Sequence, residues 1–149
     1  MAAGAFQTYN KFKEYFGDNT IDLDGDSFRM TLHTSTYTFA ATHSVKADLT
    51  DEVANANGYT TNGVALTGVT WTETAGTLVF DFSDPGWTAA GGSIVFRRGV
   101  VHDDTPTSPA DPLCTSFLGD STPADVTVTD GNTLTIQIHA TDGMFTLSG

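Results

Sequence analysis

The feature that most constrains this chain is a change of period. Up to Phe16 the apolar residues recur three and four apart; from Ile21 onward they alternate with polar ones, and turn residues interrupt them at short intervals. Spacings of three and four line side chains along one face of a helix, whereas a period of two describes a half-buried strand. A chain that is mostly of the second kind, cut into short strands by glycine turns, is expected to be all-β. The architecture expected is an antiparallel β-sandwich or barrel of jelly-roll or immunoglobulin-like type, with a short N-terminal helix.

The helix is expected over residues 6–16, where Phe6, Tyr9, Phe12 and Phe16 share a face and Lys11, Lys13 and Glu14 occupy others. Gly17 is placed to cap its C-terminus. The aromatic stripe either packs on the chain's own sheet or serves as a docking arm for a neighbouring subunit. In the strand that follows, Phe28, Met30 and Leu32 alternate with Arg29, Thr31 and His33, and "STYTFAATH" is expected to supply its neighbour. "DLTDEVANANG" (48–58) reads as a helical turn, with Asp51 and Glu52 in its first turn.

The second half reads as hairpins. Val69 and Trp71 alternate with threonines, Ala75-Gly76 turns the chain, and Leu78, Phe80 and Phe82 return on one face. Ile94 and Phe96 mark a further strand. A Pro- and Asp-rich surface loop spans 103–112, and Asp130-Gly131 and Asp142-Gly143 give two more turns. With neither repeat nor linker, 1–149 is expected to be one domain: a helix or arm over 1–17 and a sandwich over 18–149.

Bulk properties narrow the function. A length of 149 residues with ten Phe, four Tyr and two Trp is enough for a core. Eighteen acids against six bases give a net charge of −12, which repels phosphate backbones and anionic lipid, so neither nucleic acid nor membrane is an expected partner. A single cysteine, Cys114, rules out an intramolecular disulfide framework. No apolar leader or membrane-length run is present, so a soluble protein made in a cytoplasm is expected.

The chemistry-bearing residues are sparse. Asp22, Asp24 and Asp26 flank Gly25, but neither register places glycine at position six and glutamate at position twelve, as a calcium loop of the EF-hand type requires. The segment is instead expected to be a tight hairpin turn. "HDD" at 102–104 offers His102 and carboxylates to a metal, with His33, His43 or His139 completing the shell, yet no two histidines have close ligand spacing. His33 and His139 are expected to face solvent, and Cys114 to be a small buried thiol. No nucleophile elbow or phosphate-cradling loop occurs. The expectation is therefore no enzyme, no catalytic residues, no bound metal and no cofactor. Tyr59, Trp71 and Trp87 could form a sugar-stacking platform, with Trp87 in a loop as the best candidate. Arg97-Arg98, the one paired basic site, and Phe6, Tyr9 and Phe12 are the candidate subunit contacts.

The run "NKFKEYFGDNTIDLDGDSFRMTLHTSTYTFAATHSVKADLTDEV", then "GYTTNGVAL" and "VFDFSDPGWT", resembles a family of small virion structural proteins from tailed bacteriophages. The likeness is one of ordered elements along most of the chain. Members usually carry glycine at the Asn62 position and often proline at the Thr38 position, departures that bear on turn geometry. The resemblance implies a protein in many copies on the virion, decorating or cementing the head, with the major capsid protein or other virion subunits as partners and a homo-oligomer as its state. A tail or neck location, or a carbohydrate-binding adhesin-like module, is the alternative.

Overall fold

The computed structural model describes residues 4–148. In chain order the elements are β1 (Gln7–Thr8), α1 (Asn10–Gly17), β2 (Phe28–His33), β3 (Val64–Ala65), β4 (Thr70–Thr74), β5 (Thr77–Asp81), β6 (Gly86–Thr88) and β7 (Ile94–Phe96). They continue with β8 (Arg98–Asp103), β9 (Leu113–Leu118), β10 (Val126–Val128), β11 (Thr133–Thr135) and β12 (Phe145–Ser148). Every pairing is antiparallel. The fold is all-β and sandwich-like; among the described residues no sheet closes into a barrel. No helix there is long and apolar enough to cross a membrane.

The central sheet has the order β1-β9-β8-β2-β3. From one of its faces Phe28, Met30, Leu32, Val101 and Phe117 enter the main core, where they join Phe80, Phe82, Ile94, Phe96 and Leu134. Phe80 comes from the β12-β5-β4 sheet, with Phe82 just beyond the end of β5, and the others from two ribbons, β7 with β10 and β6 with β11. The β4–β5 hairpin turns at Ala75-Gly76 as the alternation indicates, with both residues at positive φ. The Asp130-Gly131 turn does not join paired strands: β10 and β11 each pair with an earlier strand.

The N-terminus departs from the expected helix. Gln7 and Thr8 pair with Ser116 and Thr115, and Tyr9 N–H donates to the Cys114 carbonyl at 3.1 Å, so the exposed edge of β9 claims this backbone before a helix can. The four aromatics therefore separate. Phe6 meets Phe117 at 5.1 Å, and Tyr9 enters a second cluster with Tyr37, Val100 and Leu113. Phe12 and Phe16 pack on the chain's own sheet, against Phe145 at 5.2 Å and Trp71 at 5.6 Å respectively. Gly17 does not supply the left-handed cap; Asn19 adopts it, at φ 65°.

The aspartate stretch turns the chain without making a hairpin. Asp22 Oδ1 accepts from Asp24 and Gly25 N–H at 3.1 Å each, and Asp26 Oδ2 accepts from Asp22 N–H at 2.8 Å. These carboxylates close one helical turn that delivers Ile21 and Leu23 to the core, and β2 takes β8 and β3 as its partners instead of the preceding segment.

The largest departure lies over 34–62. "STYTFAATH" forms no strand, and the only helical turn nearby is Lys46–Asp48. This segment lies across the second face of the central sheet, tied by Val53 N–H to Leu32 O (2.9 Å), Leu113 N–H to Ser44 O (2.9 Å) and Lys46 N–H to Asp111 O (2.9 Å). Thr31 and His33, which the alternation assigns to the polar side, are buried, as are His102 and Ser116 on the neighbouring strands.

Candidate functional site

Covering a polar sheet face creates a layer of buried hydrogen-bonding groups, each needing a partner. Most find one. Glu52 Oε1 accepts from Tyr59 Oη (2.8 Å) and Asn62 N–H (2.6 Å), while its Oε2 pairs with Lys46 at 3.3 Å. Arg29 donates from Nε to Asn62 O (2.8 Å) and from Nη2 to Gly63 O (3.1 Å). His33 Nδ1–H donates to Thr50 O at 2.8 Å and its Nε2 lies 3.0 Å from Thr31 Oγ1. Burial lowers the His33 pKa and so favours this neutral form.

Asn62 Oδ1 does not, and His102 lacks partners on both of its ring nitrogens. His102 is fully buried. Burial lowers its pKa to about 3, with the positive charges of Lys46 and Arg29 acting in the same direction, so the ring is a neutral imidazole. One nitrogen of His102 and one carboxylate oxygen each from Asp104 and Asp111 lie within 4.8 Å of one another. His102 is placed by β8, and Asp104 by its N–H bond to Ser27 O at 2.8 Å. Asp111 returns at the far end of the loop that joins β8 to β9, in a left-handed conformation with φ 49°.

The neighbouring Asp103 belongs to a different environment. Adjacent strand residues face opposite ways, so Asp103 points from β8 toward the main core. Its Oδ1 accepts from Thr105 N–H at 2.9 Å. Burial, with the Asp26 carboxylate beside it, holds its carboxyl well above the usual carboxylate range. A protonated Asp103 supplies a donor where Oδ2 otherwise lacks a partner. Cys114 is buried and uncharged, its thiol pushed up by desolvation and by Asp103 and Asp26.

The structure thus joins only part of the "HDD" motif. His102 and Asp104 come together, Asp103 is turned away, and none of His33, His43 and His139 belongs to the group. His43 Nδ1 lies 3.5 Å from Tyr37 Oη, His139 is exposed beside Asp142, and His33 is buried where solvent exposure was expected. Asp111 was not singled out from the sequence. Its only signal was its place at the end of the Pro-rich loop, next to Pro112.

The other candidates are also placed. Tyr59 and Trp87 stack at 6.5 Å but are both buried, Trp87 within β6 and not in a loop, so no sugar platform is open there. Among the five proposed subunit contacts, Tyr9 and Phe12 are fully buried within the chain and Phe6 is half-buried. Arg97 pairs with Asp125 at 2.9 Å. Arg98 lies over the Phe39 ring at 5.2 Å and donates to Gln7 Oε1 and Ser116 Oγ. No protein-family model matches the chain, and neither a curated protein nor a solved structure matches it.

Proposed function

We propose that this chain is a structural subunit of a tailed-phage particle, a decoration or cement protein that braces the head by non-covalent contacts with the major capsid protein and with copies of itself. The virion setting rests on the sequence resemblance. The observation that carries the assembly half of the reading is the outer edge of β4, Thr70–Thr74, which ends its sheet with four of five side chains exposed. An unpaired strand edge offers backbone donors and acceptors to an incoming strand. At the opposite edge, Phe16, Phe145 and Leu147 line an apolar groove of about 390 Å³ beside β12. The net charge of −12 keeps such a subunit soluble at high copy number, and this function asks for no catalysis.

The test is the protein content of purified particles and a reconstruction of their surface. The expected outcome is a stoichiometric component with density on the head. Thr72→Lys, which places a charge on the β4 edge, is expected to lower occupancy while leaving the fold intact. Absence of the chain from particles ends the reading.

A further inference from the structure

We infer that His102, Asp104 and Asp111 form a binding site for a divalent first-row transition cation, of the chemistry of Zn²⁺, which clips the base of the 104–111 loop to β8. Two independent observations converge on it. The three ligand atoms are clustered within 4.8 Å, and His102 is a fully buried side chain with both ring nitrogens unpartnered. A buried polar group normally has a partner, because leaving it without one costs about 1–3 kcal/mol. A cation takes the lone pair of one ring nitrogen while the other keeps its proton.

The donor set selects the class of ion. One imidazole nitrogen with two carboxylates suits zinc or manganese, whereas calcium and magnesium prefer all-oxygen shells. Two carboxylates balance the charge of a divalent ion. Zinc bonded at about 2.0–2.1 Å to N and O ligands sets neighbouring ligand atoms about 3.4 Å apart, so closure needs movements of about 1.5 Å at most. Asp104 is exposed and Asp111 half-exposed, so their side chains have room to make them. Three protein ligands leave a position for water.

Positive groups nearby set the limit on affinity. Arg29 Nη1 lies 3.8 Å from Asp104 Oδ2, and Lys46 is held by Glu52 at 3.3 Å. Lys46 is occupied by a carboxylate outside the ligand set, whereas Arg29 shares Asp104 with the ion and also holds the 62–63 backbone. The role that follows is structural: a cation would tie the two ends of the loop to the strand beneath, adding to the hydrogen bonds, the Lys46–Glu52 pair and the Tyr9–Tyr37–Val100–Leu113 cluster on this sheet face.

The full chain, stripped with a chelator and dialysed, is titrated with Zn²⁺ by calorimetry and with Co²⁺ by visible absorption. The expected result is saturable uptake of about one ion per chain, ligand-field bands for Co²⁺ and a higher unfolding temperature. Asp104→Asn/Asp111→Asn, altered only at accessible positions, is expected to fold and to bind ~10-fold or more weakly. His102→Asn is expected to abolish the Co²⁺ bands. His139→Ala, which removes the exposed His139–Asp142 pair, is expected to leave binding unchanged. No saturable uptake, full affinity in the double variant, loss of binding in His139→Ala, or tighter binding of Ca²⁺ than of Zn²⁺ would each overturn the assignment.

Discussion

Tyr59 Oη donates a 2.8 Å hydrogen bond to Glu52 Oε1 and accepts one of 3.1 Å from the Leu32 backbone N–H, which ties the covering segment to β2 from beneath. Burial pushes the Tyr59 hydroxyl pKa far up, so it remains a donor throughout the ordinary pH range. Tyr59→Phe leaves Leu32 N–H without its acceptor and is expected to cost about 1–3 kcal/mol. Glu52→Ala also strands Lys46 and the Asn62 N–H, and is expected to cost about 3 kcal/mol or more; Glu52→Gln should cost less. Urea unfolding midpoints check the order, and equal effects for Ala and Gln at position 52 would show that Glu52 is no hub.

The Asn62-Gly63 turn is clamped by Arg29 and Glu52, and both residues have positive φ, 73° and 61°. A Cβ on Gly63 would run into the Met30 carbonyl oxygen. Gly63→Ala is expected to destabilise by at least about 2 kcal/mol, combining left-handed strain with that clash. Asn62→Gly, at a position where asparagine already tolerates the left-handed region, is expected to shift stability by less than about 1 kcal/mol. Thermal melts of the two variants distinguish them.

His33 gives the fold a pH dependence. Burial lowers its pKa below the ordinary 6.5, with Lys46 acting in the same direction and the Thr50 hydrogen bond, Glu52 and Asp51 opposing. The unfolded chain takes up a proton as pH falls through about 6.5, while the folded chain stays neutral until lower pH. Stability is therefore complete above 6.5 and falls on acidification, by up to about 1.4 kcal/mol per pH unit from this group. The difference between wild type and His33→Gln, measured by urea unfolding from pH 7.5 to 5, isolates it. A difference that does not change with pH refutes the assignment.

Cys114 is fully buried and its thiol is held protonated. Ellman's reagent is expected to leave the native chain unmodified and to react with one thiol per chain in denaturant. Rapid modification of the native protein would show that the β9 region opens readily.

The Asp22–Asp26 stretch shows how much the sequence could decide. Three aspartates around a glycine identified a turn, because side-chain-to-backbone bonding is local, and counting showed that they do not follow the EF-hand spacing. They could not say whether the turn joined two paired strands. That depends on which backbone finds the edge of β2, a contest settled by β8 and β3 from far along the chain.

The candidate site was legible to the same extent. His102 and Asp104 stand out in "HDD", but Asp111 enters only because the β8–β9 pairing brings the ends of their loop together. Asp103, adjacent in sequence, is removed from the group by the pleat.

By itself the sequence determined the alternation of β2, β4, β5 and β7, the Ala75-Gly76 hairpin and the all-β class, since these follow from side-chain alternation and backbone preference over a few residues. Only the tertiary structure decided that Thr31 and His33 on the polar side of β2, and His102 beside them on β8, are buried. Alternation states which side chains share a face; whether that face meets water depends on what lies across it, and here 34–62 covers it and leaves His102 buried without a partner.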